Sequence, residues 1–153
     1  MTDPLIEQLC RHEGFSKTPY LCTAGFQTCG YGYNLIANPL RLSAFELAGY
    51  RRTGMTRPQA LALLIRQVAE LRTTLAGKLP VWTKLNGARQ DALCNMALNL
   101  GVKGLLNFKR TLSFLELGEH QQAAEEMLQS KWAGQVKGRA IELSRQIATG
   151  RYA

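Results

Sequence analysis

The sequence has 153 residues, of which 46% are apolar and 20% charged, and a formal net charge of +8. This length suits one domain or two lobes that share a core, and the apolar content excludes an intrinsically disordered chain. No run of about 18 apolar residues is present that would span a membrane. Residues Met1 to Leu5 have neither the basic region nor the apolar run of a secretory signal, so we expect synthesis in a cytoplasm without an export signal.

The positive charge predicts an anionic partner, such as nucleic acid, lipopolysaccharide or a cell-wall polymer. The basic residues are scattered, however, and no nucleic-acid recognition motif organises them. The four cysteines, Cys10, Cys22, Cys29 and Cys94, lack the spacing of metal ligands, so neither a metal nor a cofactor is expected. We expect reduced thiols, although Cys22 and Cys29 could approach each other in a hairpin.

Two elements are predicted in the first third of the chain. Asp3 and Pro4 are typical of a helix cap followed by proline in the first turn, and apolar residues continue on one face until Gly14. This predicts a helix over residues 3–13 with Glu13 in its last turn. From residue 18 to residue 35, aromatic residues and threonines alternate with glycines, as in a small antiparallel sheet. Residues 36–55 are predicted to form a loop that can include a short helix.

Helical patterns fill the rest of the chain. Thr56 caps a helix with Gln59 three residues later, and we predict a long connecting helix over residues 57–76. Its apolar stripe comprises Leu61, Leu64, Val68, Leu71 and Leu75. Residues 88–100 are the most apolar stretch and are predicted to form a central core helix. Later helices are expected between glycines 101, 118, 134 and 150.

These elements predict a mainly helical α+β fold with two lobes. The smaller lobe, residues 14–60, holds the short antiparallel sheet. The connecting helix joins it to a larger all-helical lobe, residues 78–153, which also takes the N-terminal helix 3–13. A cleft between two lobes is a favourable place for a polymer substrate.

The segment around Glu13 resembles the N-terminal catalytic signature of the phage-type lysozymes, glycoside hydrolase family 24. The shared pattern is Glu13-Gly14, then Tyr20, then Gly-x-x-Thr-x-Gly-x-Gly over residues 25–32. The resemblance continues in order and spacing to the other end of the chain. The matching segments there are Ala92-Leu93-Cys94-Asn95-Met96, Asn99-Leu100-Gly101, Ala123-Ala124, Ser130-Lys131-Trp132, Gly138-Arg139-Ala140 and Thr149-Gly150.

This resemblance implies the lysozyme fold and a muramidase that hydrolyses the β-1,4 bond between N-acetylmuramic acid and N-acetylglucosamine in peptidoglycan. It implies a monomer that needs no cofactor, binds no nucleic acid and does not insert into membranes. Such an enzyme is made in the host cytoplasm and reaches the wall from the periplasm after its release. A phage endolysin, a prophage product and a delivered effector all fit this expectation.

By the same resemblance, Glu13 is the general acid, Thr28 positions the attacking water and Arg139 supports Glu13. A carboxyl group at the C-terminal end of a helix meets the negative end of the helix dipole, which favours the protonated form that can donate to the leaving oxygen. Arg139 is expected to lie close to Glu13, and its positive charge would oppose that effect by favouring the ionised carboxylate. The hydroxyl of Thr28 can both donate and accept hydrogen bonds, as holding a water requires.

Cys22 stands where the family usually has an aspartate, and the sequence contains no Asp or Glu between Glu13 and Glu46. Three interpretations follow. The thiolate can replace the carboxylate as base or charge stabiliser, it can attack the sugar and give retention, or the site is damaged and the protein only binds the wall. We favour the first, because Glu13 and Thr28 keep their order and spacing around Cys22. Oxidation of Cys22, or its pairing with Cys29 or Cys10, would remove a thiolate role.

The resemblance further implies five substrate-binding positions that line the cleft. They are Tyr33, Asn34, Leu98, Asn99 and Thr111. Trp82 and Trp132 are expected in the core rather than as sugar platforms, and Cys29 and Cys94 are expected to be buried.

Three other functions compete with a hydrolase. A lytic transglycosylase would need Glu13 alone and would leave anhydro ends on its products. A catalytically impaired peptidoglycan-binding protein would bind the wall without releasing fragments. A helical nucleic-acid-binding protein, suggested by charge alone, would bind duplexes with a steep salt dependence.

Overall fold

The computed structural model describes residues 2–36 and 42–152. The chain divides into two compact units, Met1–Ala69 and Glu70–Ala153. Helices predominate in both, and a three-stranded antiparallel sheet lies in the first unit, so the α+β prediction is confirmed. None of the helices found in residues 2–36 and 42–152 is long and apolar enough to cross a membrane. The lobe limits predicted from the sequence, 14–60 and 78–153 with helix 3–13, stay a prediction.

The first unit begins with helix α1, Pro4–Glu13, as predicted. The Asp3 carboxylate accepts a hydrogen bond from the Leu5 amide at 3.0 Å, and proline fills the first helical position. Leu5 and Leu9 are fully buried. This local cap and apolar face bring Glu13 to the last position of the helix.

The predicted sheet consists of β1 (Ser16–Leu21), β2 (Gln27–Gly30) and β3 (Tyr33–Asn34). The strands lie in chain order, and β1 pairs with β2 so that Tyr20 is opposite Thr28 and Leu21 is opposite Gln27. On the other edge of β2, Cys29 pairs with Tyr33.

The predicted loop over residues 36–55 contains helix α2, Ala44–Thr53, while its residues 37–41 lie outside the described part of the chain. A capping box starts this helix, with the Glu46 amide donating to the Ser43 hydroxyl at 3.1 Å and the Glu46 carboxylate accepting from the Ser43 amide at 2.9 Å. No residue of α2 is fully buried, and its sequence accordingly lacks a clear apolar stripe at helical spacing.

Helix α3, Arg57–Lys78, confirms the predicted long helix and begins with a reciprocal cap between Thr56 and Gln59. Leu64, Val68 and Leu75 are buried as expected. Leu61 is exposed, which corrects the predicted stripe, because Leu63 faces the core in its place. The core of the first unit combines α3 with the sheet, in a buried cluster of Cys29, Tyr33, Leu35, Met55, Ala60 and Leu63.

The second unit is helical throughout its described residues. A 3-10 turn, Trp82–Lys84, precedes α4 (Gly87–Leu100), the predicted core helix, in which Leu93, Cys94 and Met96 are fully buried. The helices that follow are α5 (Val102–Leu106), α6 (Lys109–Glu116), α7 (His120–Leu128), α8 (Lys131–Val136) and α9 (Gly138–Thr149).

One predicted boundary in the second unit is wrong. Gly134 lies inside α8, which starts from the Ser130 hydroxyl cap and continues to Val136. The chain reverses at Lys137 instead, whose φ of 51° is left-handed although it is not a glycine. Glycine usually marks a helix end of this kind, so an end at a lysine could not be predicted from the sequence.

The packing of α2 against β1 generates a prediction about Gly54. This residue has a φ of 76°, and a Cβ atom there would lie 1.9 Å from the Lys17 carbonyl oxygen, which accepts the Met55 amide at 2.8 Å. Gly54→Ala is therefore expected to lower the free energy of unfolding by at least about 2 kcal/mol in a urea titration followed by circular dichroism.

Gly49→Ala is the matched control for that substitution. Gly49 lies within α2 with open space where a Cβ atom would be. Alanine there is expected to be neutral or to stabilise by up to about 1 kcal/mol, because alanine favours a helix more than glycine does. Equal unfolding curves for the two variants would contradict the close approach of residue 54 to β1.

Candidate active site

The carboxyl group of Glu13 is held at the junction of α1 and the sheet. The Gly14 amide donates to the Cys10 carbonyl at 3.0 Å, which ends the helix and turns the chain into β1. A Cβ atom on residue 32 would lie 2.6 Å from Glu13 Oε2, so the carboxyl group lies directly against the backbone of Gly32. A side chain at residue 32 would displace this carboxyl group.

The thiol of Cys22 lies at the turn of the β1–β2 hairpin. The Cys22 amide donates to the Phe26 carbonyl at 3.0 Å, and the Gly25 amide donates to the Cys22 carbonyl at 2.8 Å. Gly25, which precedes the second strand, has a left-handed φ of 83°. These two hydrogen bonds and this conformation are typical of a tight turn followed by a β-bulge at Gly25. The turn fixes the position of Cys22 relative to β2.

Thr28 lies on β2 and is buried, with 4% of its surface exposed. Its hydroxyl donates to the Phe26 carbonyl at 2.9 Å. A hydroxyl has one proton and two lone pairs, so its oxygen retains the capacity to accept a hydrogen bond while it donates. That capacity is what positioning a water molecule requires.

The surroundings of Cys22 favour its thiolate. Hydrogen bonding from the Phe26 backbone lowers the pKa of the thiol most. Burial opposes this effect, and weaker hydrogen bonds from the Ala24 backbone, the Thr28 hydroxyl and the Gly25 backbone lower the pKa further. Hydrogen bonds to the charged form stabilise it, and a thiolate is a stronger base and nucleophile than a thiol.

The other cysteines of the first unit differ from Cys22. Burial raises the pKa of Cys29, whose thiol donates to the Lys17 carbonyl at 3.3 Å. Burial also raises the pKa of Cys10, against a hydrogen bond with Tyr31. All four cysteines are free thiols, and Cys29 and Cys94 are buried as predicted. Only Cys22, among the described cysteines with a shifted pKa, is shifted toward the thiolate.

Tyr20 lies beside these groups on the hairpin, opposite Thr28 and two residues before Cys22. Burial raises the pKa of its phenol, and the negative charges of Glu13, Cys22 and Cys29 raise it further. The β1–β2 hairpin thus holds Cys22 and Thr28, and the adjoining end of α1 holds Glu13 against Gly32.

The predicted substrate residues of this unit have different environments. Tyr33 is buried in the core cluster with Leu35 and Met55. Asn34 is half-buried, and its side-chain carbonyl accepts a hydrogen bond from the Ile36 amide at 2.8 Å. Their contact with substrate stays a prediction.

In the second unit, Asn99 is exposed, and its side-chain carbonyl accepts a hydrogen bond from Trp132 Nε1 at 2.7 Å. Trp132 is buried, as is Trp82, which confirms their prediction as core residues. Trp132 also packs edge-on against Phe108, with ring centroids 5.9 Å apart. Leu98 is half-buried beside Asn99 in α4.

Phe108 borders a surface groove of about 390 Å³ that contains the predicted residue Thr111. Arg110 and Glu126 face each other there as an ion pair of 3.2 Å. The groove is lined by Asn107, Phe108, Lys109, Arg110, Thr111, Glu126, Gln129 and Ser130. Its lining combines apolar surface, including the ring of Phe108, with charged and hydroxyl-bearing side chains.

Arg139 lies in α9, where its guanidinium donates to the side-chain carbonyl of Asn95 at 2.9 Å and to the backbone carbonyl of Asn95 at 3.4 Å. These bonds connect α9 to the core helix α4. Its support of Glu13 stays a prediction.

Several residues of the β1–β2 hairpin and of the groove in the second unit were not predicted from the sequence. The ring of Phe26 and the phenol of Tyr20 were not assigned to the site, although the period-two alternation of a strand would have placed them on the face of Cys22 and Thr28. The groove residues Arg110 and Glu126 gave no such signal, because they come from different helices.

The sequence also matches a known family. The sequence profile of the family described as phage lysozyme matches residues 10–146, which include Glu13, Cys22 and Thr28. The chain belongs to the phage lysozyme family. Membership implies a glycoside hydrolase of the lysozyme class that acts on peptidoglycan.

Two relatives extend this comparison. The pre-baseplate central spike protein Gp5 of Enterobacteria phage T4 is 31% identical over 159 residues, an alignment that covers 95% of this chain and 28% of that protein. The protein named Probable T4-type lysozyme 1 of Dictyostelium discoideum is 26% identical over 167 residues, covering 98% of this chain and 96% of that protein. The chain therefore spans little more than a quarter of the first relative and nearly all of the second.

The contact between Glu13 and Gly32 can be tested through the peptidoglycan-degrading activity that membership of this family predicts. Gly32→Ala is expected to reduce the release of fragments from purified peptidoglycan about 10- to 100-fold, because a displacement of about 1 Å at the predicted general acid would have effects of this size. The measurement is the initial rate of fragment release at matched protein concentration.

Gly118→Ala is the control for backbone strain. Gly118 has a similar φ, 75° against 69° for Gly32, but open space where the Cβ atom would be. It should lose comparable stability and keep its rate. A Gly32→Ala protein with the parent rate would show that the carboxyl position does not matter.

Proposed function

We propose that this chain is a muramidase that cleaves the β-1,4 bond between N-acetylmuramic acid and N-acetylglucosamine with Glu13 as general acid. The observation that supports it most is the grouping of Glu13, Cys22 and Thr28 in one region of the first unit. Glu13 ends α1 against Gly32, and the other two residues belong to the adjoining hairpin.

In the proposed reaction, the Glu13 carboxylic acid donates its proton to the glycosidic oxygen as the bond to the anomeric carbon breaks. A water molecule held by the Thr28 hydroxyl attacks the anomeric carbon and loses its proton to the Cys22 thiolate. The products are a reducing end, a free hydroxyl on the leaving sugar, a carboxylate on Glu13 and a neutral thiol on Cys22. The proton balance is restored through solvent.

The lowered pKa of Cys22 agrees with a thiolate that acts as the base. The thiolate acts on a water molecule here and does not form a sulfur–carbon bond. A covalent intermediate on Cys22 is the alternative that the first experiment separates.

The same proposal assigns substrate contacts to Tyr33, Asn34, Leu98, Asn99 and Thr111, and a supporting role to Arg139. Thr111 is favoured by its place in the groove of the second unit. Lysis of a host cell, with access to the wall from the periplasm, is the setting that the family membership suggests.

The first experiment is mass analysis of the fragments that purified peptidoglycan releases in water enriched in oxygen-18. The parent is expected to add one labelled oxygen per cut and to form reducing ends. Glu13→Gln and Cys22→Ser should each lower the rate about 100-fold or more, since general acid and base catalysis contribute effects of this size. Cys22→Asp should retain activity within about tenfold of the parent, because an aspartate supplies an equivalent base.

Other results would change the assignment. Anhydro ends from an active Cys22→Ser protein would indicate a lytic transglycosylase. A parent protein whose intact mass increases by that of a glycan fragment would indicate attack by sulfur. A folded parent that binds the wall and releases nothing would leave only a binding protein.

The pH dependence of activity should differ between the parent and Cys22→Asp. A base acts when deprotonated, so the active fraction of Cys22 falls as the pH falls through its pKa, which is below that of an ordinary thiol. An aspartate ordinarily titrates near a pH of about 3.9, so its active fraction stays constant around neutral pH. The measurement is the ratio of kcat/KM of the parent to that of Cys22→Asp against pH, in which the shared requirement for the acid cancels. This ratio should fall about tenfold per pH unit below the pKa of Cys22.

Cys10→Ser is the matched control, since Cys10 is another thiol of the same unit with a pKa shifted in the opposite direction. Its profile should superimpose on that of the parent. A ratio of the two kcat/KM values that does not change with pH would contradict a role for Cys22 as base.

A further inference from the structure

One face of the β1–β2 hairpin carries two aromatic residues beside the proposed catalytic pair. Tyr20 is opposite Thr28, and the next aligned pair on the same face is Cys22 with Phe26, since Leu21 opposite Gln27 lies between them. Side chains alternate between the two faces of a strand pair. Tyr20, Thr28, Cys22 and Phe26 therefore share a face, and Leu21 lies on the other.

The aromatic residues of this face are open to solvent. Tyr20 is 40% exposed and Phe26 is 48% exposed. Thr28 is buried at the inner end of the face, and Cys22 is half-buried near the turn. The face is thus an aromatic surface with a thiol and a hydroxyl set into it.

The backbone of Phe26 is fixed relative to both polar groups. Its carbonyl oxygen accepts the Cys22 amide at 3.0 Å and the Thr28 hydroxyl at 2.9 Å. The Cα atom from which the ring projects therefore has a set position beside the thiol and the hydroxyl, which limits where the ring can lie.

We propose that Tyr20 and Phe26 form an aromatic platform that binds the apolar face of a sugar ring in the glycan strand, next to the bond that is cleaved. This inference rests on the proposed function, and it deepens it by naming a sugar-binding surface on the hairpin. A pyranose ring has an apolar face of C–H groups and a polar rim, which matches an aromatic surface bordered by polar groups.

Tyr20 contributes a polar atom at the edge of the platform. Burial and the charges of Glu13 and Cys22 keep its phenol protonated by raising its pKa. A neutral phenol can donate a hydrogen bond to a sugar hydroxyl or to an acetamido carbonyl. Phe26 has no polar atom, so its contribution is contact with the ring face alone.

Phe26→Ala tests the platform by binding and by kinetics. In a Glu13→Gln background, which slows turnover, the affinity for purified glycan strands is measured by sedimentation of the bound protein. Alanine should weaken binding about tenfold, because the ligand would no longer bury the exposed part of the ring, roughly half of a phenyl side chain. With Glu13 present, KM should rise by a similar factor while kcat stays within about twofold, because the ring binds without reacting.

The variants Phe26→Trp and Leu21→Ala provide the controls. Tryptophan keeps an aromatic face and should restore binding. Leu21 is 72% exposed on the opposite face of the same hairpin, so its loss removes as much apolar surface without touching the platform. Leu21→Ala should bind glycan strands as the Glu13→Gln protein does, and circular dichroism should show all variants equally folded.

The outcomes separate this inference from the proposed function. Unchanged affinity in Phe26→Ala, equal losses in Phe26→Ala and Leu21→Ala, or no binding of glycan strands by the Glu13→Gln protein would each overturn the platform. A tenfold loss of binding in Phe26→Ala would support the platform even if the parent released no fragments, an outcome that would overturn the muramidase alone.

Discussion

The register of the β1–β2 hairpin determines the arrangement of the proposed site. Tyr20 opposite Thr28 puts the tyrosine, Cys22, Phe26 and the threonine on one face, and the bulged turn at Gly25 holds this alignment. A shift of β1 by one residue would turn its side chains to the other face. Tyr20 and Cys22 would then face the core, away from Thr28. The chemistry of the hairpin therefore depends on the turn Cys22 to Gly25, which is closed by the hydrogen bonds from the Gly25 amide to the Cys22 carbonyl at 2.8 Å and from the Cys22 amide to the Phe26 carbonyl at 3.0 Å.

The two faces of β2 have different surroundings in the first unit. Cys29 and Tyr33 pair on the side of β3 and belong to the hydrophobic cluster with Met55 and Ala60. Thr28 alternates with Cys29 and points to the face of Cys22. Packing on one face thus stabilises the sheet, while the other face remains available for reaction. The Glu13 carboxyl group completes the site because Gly32 has no side chain to occupy its place.

The elements with local signals were predictable from the sequence. Helix α1 and helix α3 begin with caps made by neighbouring residues, Asp3 and Thr56, and both predictions are confirmed. Helix α2 has an equally good cap at Ser43, but none of its residues is fully buried, so its hydrophobic period is weak. The end of α8 at Lys137, where φ is 51°, falls on a residue other than glycine and so had no signal in the sequence.

The candidate site was predictable in part. Glu13, Cys22 and Thr28 were identified through resemblance to a family, since a single glutamate at a helix end is not diagnostic by itself. The burial of Tyr33 and Thr111 depends on contacts between distant segments and could not be predicted from residue type. The aromatic residues Tyr20 and Phe26 were visible in the sequence. Their role depends on the strand register, which the sequence pattern predicts only after the turn residues are known.

The replacement of a carboxylate by a thiol changes how the site must be built. An aspartate is ionised at neutral pH without help, whereas an ordinary thiol is mostly protonated there. A cationic partner could supply the difference, but a cation beside Glu13 would also stabilise the carboxylate and oppose its role as acid. Neutral donors act on the sulfur itself, over a short range. The Phe26 backbone and the Thr28 hydroxyl are donors of this kind, and they lower the pKa of Cys22. The hairpin turn thus supplies the help that a thiol needs, and an aspartate does not, to serve as the base of the proposed hydrolysis.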